Sequence, residues 1–142
     1  MKYFKIEEFT KTGTGLPNVP GAQERKNIEA LIDHVLDPAR AEFGAPITVS
    51  SGFRSEAVNA KIGGVPNSQH CTGEAADLQC SDNRRLFEIL KKQGNFDQLI
   101  WEFGDDKQPR YVHVSYSPYP RKGIFKAVKT NGVTKYIRWI TL

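Results

Sequence analysis

From Asp97 onward the sequence supplies one strand-like segment after another with no helical period between them, and this constrains the fold most. The first, about Asp97–Phe103, carries Leu99, Ile100 and Trp101. After the turn GDDKQP comes Tyr111–Tyr116, with alternating character. Asn131-Gly132, between KAVKT and VTKYIRW, is the signal for a type I′ hairpin, whose two central residues need positive φ. The C-terminal hairpin is expected over about 123–141. Neighbouring strands of this kind call for a mostly antiparallel sheet.

Upstream, helices and strands alternate. Residues 1–22 read as an irregular lead-in, with Gly, Pro and Thr concentrated in TKTGTGLPNVPG. Ile28, Leu31, Ile32, Val35 and Leu36 then recur at helical spacing until Pro38, which interrupts or ends the helix, with a short continuation to Phe43. Ile47–Phe53 reads as a buried strand, and Ser55 caps a short helix to about Ile62, stopped by Gly63-Gly64. Glu74–Leu78 is a strand, and Asp82 caps the helix Arg84–Gln93 before Gly94. The expected fold is α+β: a single domain over 1–142, mostly antiparallel sheet with helices packed on it.

The 142 residues suit one core, and 39% hydrophobic with 25% charged residues is ordinary for a globular chain. The net charge of +4 comes with no basic run interleaved with aromatics, so no nucleic-acid partner is expected. No apolar run reaches the roughly 20 residues that a membrane-spanning helix needs, so no membrane insertion is expected. The N-terminal MKYFKIEEFTKTGTG lacks an apolar export core, so a newly made copy is expected in the cytoplasm. Cys71 and Cys80 are too few for a disulfide framework and read as free thiols. A monomer is the expected state.

Chemistry is concentrated in Ser68-Gln69-His70-Cys71-Thr72-Gly73-Glu74-Ala75-Ala76-Asp77. Imidazole and carboxylate are both good zinc ligands, and a chain that turns at Gly73 can bring His70 and Asp77 to one ion. Three protein ligands leave a coordination position for water, the catalytic arrangement. The best candidate for the third is His113, inside the strand YVHVS. His34 belongs to the surface or core edge of the amphipathic helix. Cys71 adjoins His70 and is a substitute ligand on chemistry alone, but reads as a small loop residue. Trp101, Tyr111 and Tyr116 are candidates for core or for the wall of a peptide groove.

The pattern SxHxxGxAxD, carried by Ser68, His70, Gly73, Ala75 and Asp77, resembles the signature of the zinc D-alanyl-D-alanine metallopeptidases, which share the hedgehog/D,D-peptidase fold. VSSGFRS at Val49–Ser55, the lead-in GGVPNS and the pair DQLIWEF and YVHVS resemble its small bacterial and phage members. The similarity runs from about Asn18 through the C-terminal hairpin. It implies a hedgehog/D,D-peptidase-like domain with Zn2+ on His70, Asp77 and His113. It also implies a substrate, the peptidoglycan stem peptide, cut by a D,D- or L,D-carboxypeptidase or an endopeptidase. Arg54 resembles the family arginine that faces a substrate carboxylate or developing oxyanion; Ser68 either offers its hydroxyl to the substrate or braces the His70 loop. The family's small members also suggest a phage or prophage lysin that reaches the cell wall after release. The alternative is a non-catalytic, zinc-stabilised binding or phage structural module.

One position departs from the family. Better-known members carry an acid three residues before the last zinc histidine, where this chain has Arg110. Glu102 is the replacement: pairing Trp101–Phe103 with Val112–Val114 sets it beside His113 on one face. Asp105 and Asp106 in the turn are the fallback general bases.

Overall fold

A computed structural model describes residues 1–139 of the chain; residues 140–142, including the end of the expected hairpin, lie outside the described residues. Among the described residues six strands form one sheet: β1 (Ile47–Ser51), β2 (Ala75–Cys80), β3 (Gln98–Glu102), β4 (Tyr111–Ser115), β5 (Gly123–Thr130) and β6 (Val133–Arg138). Their spatial order is β1-β2-β4-β3-β5-β6, and every pairing is antiparallel except β3 with β5. The α+β class and the mostly antiparallel sheet are those expected.

The parallel pair arises because the chain skips past β3 between β4 and β5. Arg121 fastens that connection across the start of β3: its amide donates to Asp97 Oδ1 at 2.8 Å and its Nη2 reaches Oδ2 at 2.7 Å. Asp97 is 1% exposed, so this is a buried carboxylate with a dedicated cation.

Helices α1 (Ala22–Leu31), α2 (Asp37–Phe43) and α4 (Asn83–Gln93) supply apolar stripes to the core, while the short α3 (Glu56–Lys61) follows β1. Pro38 does not end the long helix. A wider π turn over Ile32–Leu36, with the Asp37 N–H reaching the Ile32 carbonyl, precedes it, and the helix resumes as α2. Widening the turn accommodates the ring that would otherwise crowd the preceding carbonyls. Caps behave as expected: Ser55 Oγ accepts the Val58 amide at 3.2 Å, and Asp82 Oδ1 accepts that of Arg85 at 3.1 Å. Within the lead-in, Ile6–Phe9 forms a 3₁₀ turn, and Phe4, Ile6 and Phe9 join the core. Isolated apolar residues carry no period, which is why 1–22 reads as irregular.

Alternation along β4 separates the two faces of the sheet. Val112 and Val114 are fully buried in the core, each contributing about 1.5–3 kcal/mol relative to exposure, while Tyr111 and His113 face the other way. Trp101 belongs to the core face, edge-on to Phe87 and Trp139.

Candidate metal centre

Asp77 and His113 are 36 residues apart in sequence and directly opposite each other in the β2–β4 ladder. Facing residues in an antiparallel pair share a side of the sheet at about 5 Å. Their side chains touch: His113 Nδ1 lies 2.9 Å from Asp77 Oδ1.

His70 arrives from the loop before β2. That loop turns at Gly73, whose φ is +79° and where a Cβ would meet the Glu24 carbonyl oxygen of α1 at 2.5 Å. Glycine is required there by both the backbone angle and the close approach. The Gly52 carbonyl lies 2.7 Å from His70 Nδ1. A carbonyl only accepts, so Nδ1 carries the proton, and in the neutral ring Nε2, 3.4 Å from Asp77 Oδ1, is the nitrogen left for a metal. The donor atoms of His70, Asp77 and His113 all lie within 4.8 Å of one another. Donors on one tetrahedral zinc stand roughly 3.3 Å apart, and the 2.9 and 3.4 Å separations bracket that spacing. The set fits a divalent ion of this kind, and the β2–β4 ladder and the loop before β2 bring together the three residues expected to hold it. Cys71 and Cys80 are free and outside this group.

Arg54 lies beside the centre. Its Nε donates to Ser51 Oγ at 3.1 Å, its Nη1 to Asn59 Oδ1 at 3.4 Å, and its Nη2 reaches Asp77 Oδ2 at 3.4 Å. Burial opposes ionisation of Asp77, but the adjoining His113 and His70 rings outweigh it and hold the carboxyl well below the usual range. Ser68 Oγ accepts the His70 amide at 3.2 Å, the bracing arrangement, which still leaves its hydroxyl hydrogen for another acceptor.

Glu102 shares the face of His113, but the register differs from that expected. Ile100, not Glu102, pairs with His113, and Glu102 pairs with Tyr111. The shift is two residues, so the side chain keeps its face. Phe103 explains it: at φ +59° it leaves the ladder, and its amide donates to Ala127 of β5 at 3.1 Å. Glu102 is 4% exposed and its Oε2 has no hydrogen-bond partner among the described residues. Burial pushes its carboxyl up to about 7, with His113 pulling down and the Asp77 charge pushing further up. The fallback acids serve the turn: Asp105 Oδ1 accepts the amides of Lys107 and Gln108, and Asp106 pairs with Lys126 at 2.9 Å.

Of the aromatic candidates, Tyr111 is on the site face beside Glu102, Trp101 is in the core, and Tyr116 stacks on His34 at 4.7 Å. Three groups escaped sequence reasoning. Asn59, 5% exposed, and the Gly52 carbonyl act through hydrogen bonds that no motif announces. Tyr136 of β6, though exposed, reaches the site's surroundings: partial desolvation raises its phenol, and the charges of Glu102 and Asp77 add to the effect. The alternation in VTKYIRW was the available signal for Tyr136, but only with the β3–β5 register in hand.

Comparison with known proteins gives two findings. The family model described as Peptidase M15 matches residues 2–115. The zinc D-Ala-D-Ala carboxypeptidase of Streptomyces albus G is 58% identical over 33 residues, a stretch covering 23% of this chain and 13% of that protein.

Proposed function

The chain belongs to the peptidase M15 family, and from that premise we propose that it is a zinc-dependent peptidase hydrolysing a peptide bond in peptidoglycan stem peptides. The observation that carries this reading is the convergence of His70, Asp77 and His113, with the buried Glu102 on the same face as His113. The relative from Streptomyces albus G, a zinc D-Ala-D-Ala carboxypeptidase, favours zinc as the ion and a D-Ala-D-Ala bond as the target.

His70, Asp77 and His113 would hold zinc, which when bound supplies Lewis acidity toward water and the scissile carbonyl. Glu102 serves as the acid/base. Burial makes its carboxyl a stronger proton acceptor than an exposed glutamate, so it can accept the proton of the attacking water and return it to the leaving amine. Arg54, oriented by Ser51 and Asn59, binds the substrate carboxylate or the developing oxyanion with a planar pair of donors. Ser68 holds the His70 loop in position. The Gly52 carbonyl keeps His70 in the tautomer that leaves Nε2 available.

The same proposal includes a lysin role for phage or prophage, with the chain acting on the wall after release. The test is digestion of purified peptidoglycan followed by product mass analysis, with zinc-loaded protein, chelated protein and the Glu102→Gln variant. Loss of a terminal D-alanine identifies a carboxypeptidase, and internal fragments identify an endopeptidase. Full cleavage by Glu102→Gln removes that residue from the mechanism. Absence of cleavage from every wall type leaves a binding or structural module as the better account.

A further inference from the structure

Strand pairing carries the site face well past the metal centre. Directly paired residues share a face, so one row crosses the sheet through Asp77, His113, Ile100, Phe125 and Arg138. The adjacent row runs through Tyr111, Glu102, Ala127 and Tyr136. The β5–β6 hairpin, which lies beyond the residues matched to the family, therefore extends the floor of the site. Ile100 and Phe125 make that floor apolar, and the exposed Arg138 stands at its far end with its guanidinium 4.9 Å over the Phe125 ring. Stacking on an aromatic ring orients a guanidinium while leaving its in-plane donors open. Arg54 flanks the centre from the opposite side, beside β1 and β2.

We propose that Arg138, braced on Phe125, is a specificity-determining residue that binds a free carboxylate of the peptide substrate on the side of the metal centre away from Arg54. The distance selects the group. Three strand spacings of about 4.8 Å put the Arg138 Cα roughly 14 Å from that of His113. An arginine side chain spans several ångströms of that gap, and an extended peptide advances about 3.3–3.6 Å per residue. The carboxylate therefore lies about two residues from the cleaved bond. In a stem peptide cut between its fourth and fifth residues, that is the α-carboxylate of the second residue, a γ-linked glutamate. Some walls carry this group free and others as a carboxamide, so Arg138 discriminates between them. Tyr136, two residues before Arg138 on the same face, forms the side of the path.

This inference rests on the proposed peptidase reading, and its test separates the two. Two soluble pentapeptide muropeptides, identical except for a free carboxylate or a carboxamide on the second residue, are given to zinc-loaded wild type, Arg138→Ala and Arg138→Lys. Arg138→Ala should raise KM for the free-carboxylate form about tenfold, the size expected for one charge-assisted contact, with kcat within about twofold. KM for the amidated form should barely move, and Arg138→Lys should restore part of the loss. Equal effects on both forms, or none, overturn the proposal. Calorimetric binding of the same muropeptides to the same proteins reads recognition without turnover: a tenfold weaker Kd confined to the free-carboxylate form supports the proposal, and wild-type binding indifferent to amidation overturns it. If neither form is cleaved but the binding difference holds, the peptidase reading fails and the recognition site stands.

Discussion

Two carboxylates lie on one face of the same sheet and are treated in opposite ways. Asp77, on β2, has two imidazoles and a guanidinium around it, and its carboxyl is held low. Glu102, two strands away on β3, is similarly enclosed but has an oxygen without a partner among the described residues, and its carboxyl is pushed up to about 7. Burial raises both; what separates them is whether neighbouring donors and positive charge outweigh it, as they do at Asp77, or fall short, as His113 and Tyr111 do at Glu102. One environment suits a permanent anion that helps to hold a cation. The other suits a group that exchanges a proton near neutral pH.

The contrast breaks most completely at Asp77. Asp77→Asn should lower zinc affinity by more than about 100-fold and reduce peptidoglycan cleavage to background, as read by zinc titration and product mass analysis. Glu102→Gln should behave differently, with zinc retained at one ion per chain while kcat falls by about 10²–10⁴. Loss of zinc from Glu102→Gln would erase the distinction between the two sites.

A pH series on the metal-free protein sharpens the comparison. Glu102 is protonated in the fold at pH 5.5, where the unfolded carboxyl, with its ordinary value of 4.5, is mostly ionised. The folded state then binds more protons, so stability falls as pH rises from 4.5 to about 7. The loss is on the order of 3 kcal/mol. Asp77 has the opposite sign: its contribution is present above 3.8 and disappears as pH falls below that value. Denaturant unfolding at several pH values should show the downward slope above pH 4.5 in wild type and not in Glu102→Gln.

A smaller effect is expected at Gly73. Alanine there meets the Glu24 carbonyl oxygen and occupies a positive φ, so Gly73→Ala should cost about 1–3 kcal/mol in stability and weaken zinc binding through the His70 loop. Chemical denaturation and zinc titration of the same variant check both parts.

Much of this site was legible because its parts are local. Ser55 and Asp82 announce helix starts, and Asn131-Gly132 announces a two-residue turn whose φ values of +53° and +79° are both positive. The order of SxHxxGxAxD, VSSGFRS and YVHVS was enough to nominate His70, Asp77 and His113. Nonlocal geometry was harder to read. The two-residue register difference at Glu102 depends on Phe103 leaving the ladder for β5, a pairing that no local pattern encodes. The parallel β3–β5 pair follows a connection that Arg121 ties to the buried Asp97, and without that register the site-facing side of β6 could not be assigned. Pro38 carried a local rule that the π turn before it relaxed.

The central claim is that one zinc ion is shared by His70, Asp77 and His113. X-ray absorption at the zinc edge of the purified, zinc-loaded chain tests it most directly. One ion per chain with only nitrogen and oxygen neighbours at about 2.0–2.2 Å, lost in Asp77→Asn, is the result expected. A sulfur neighbour at about 2.3 Å would instead put Cys71 or Cys80 in the coordination shell and contradict it.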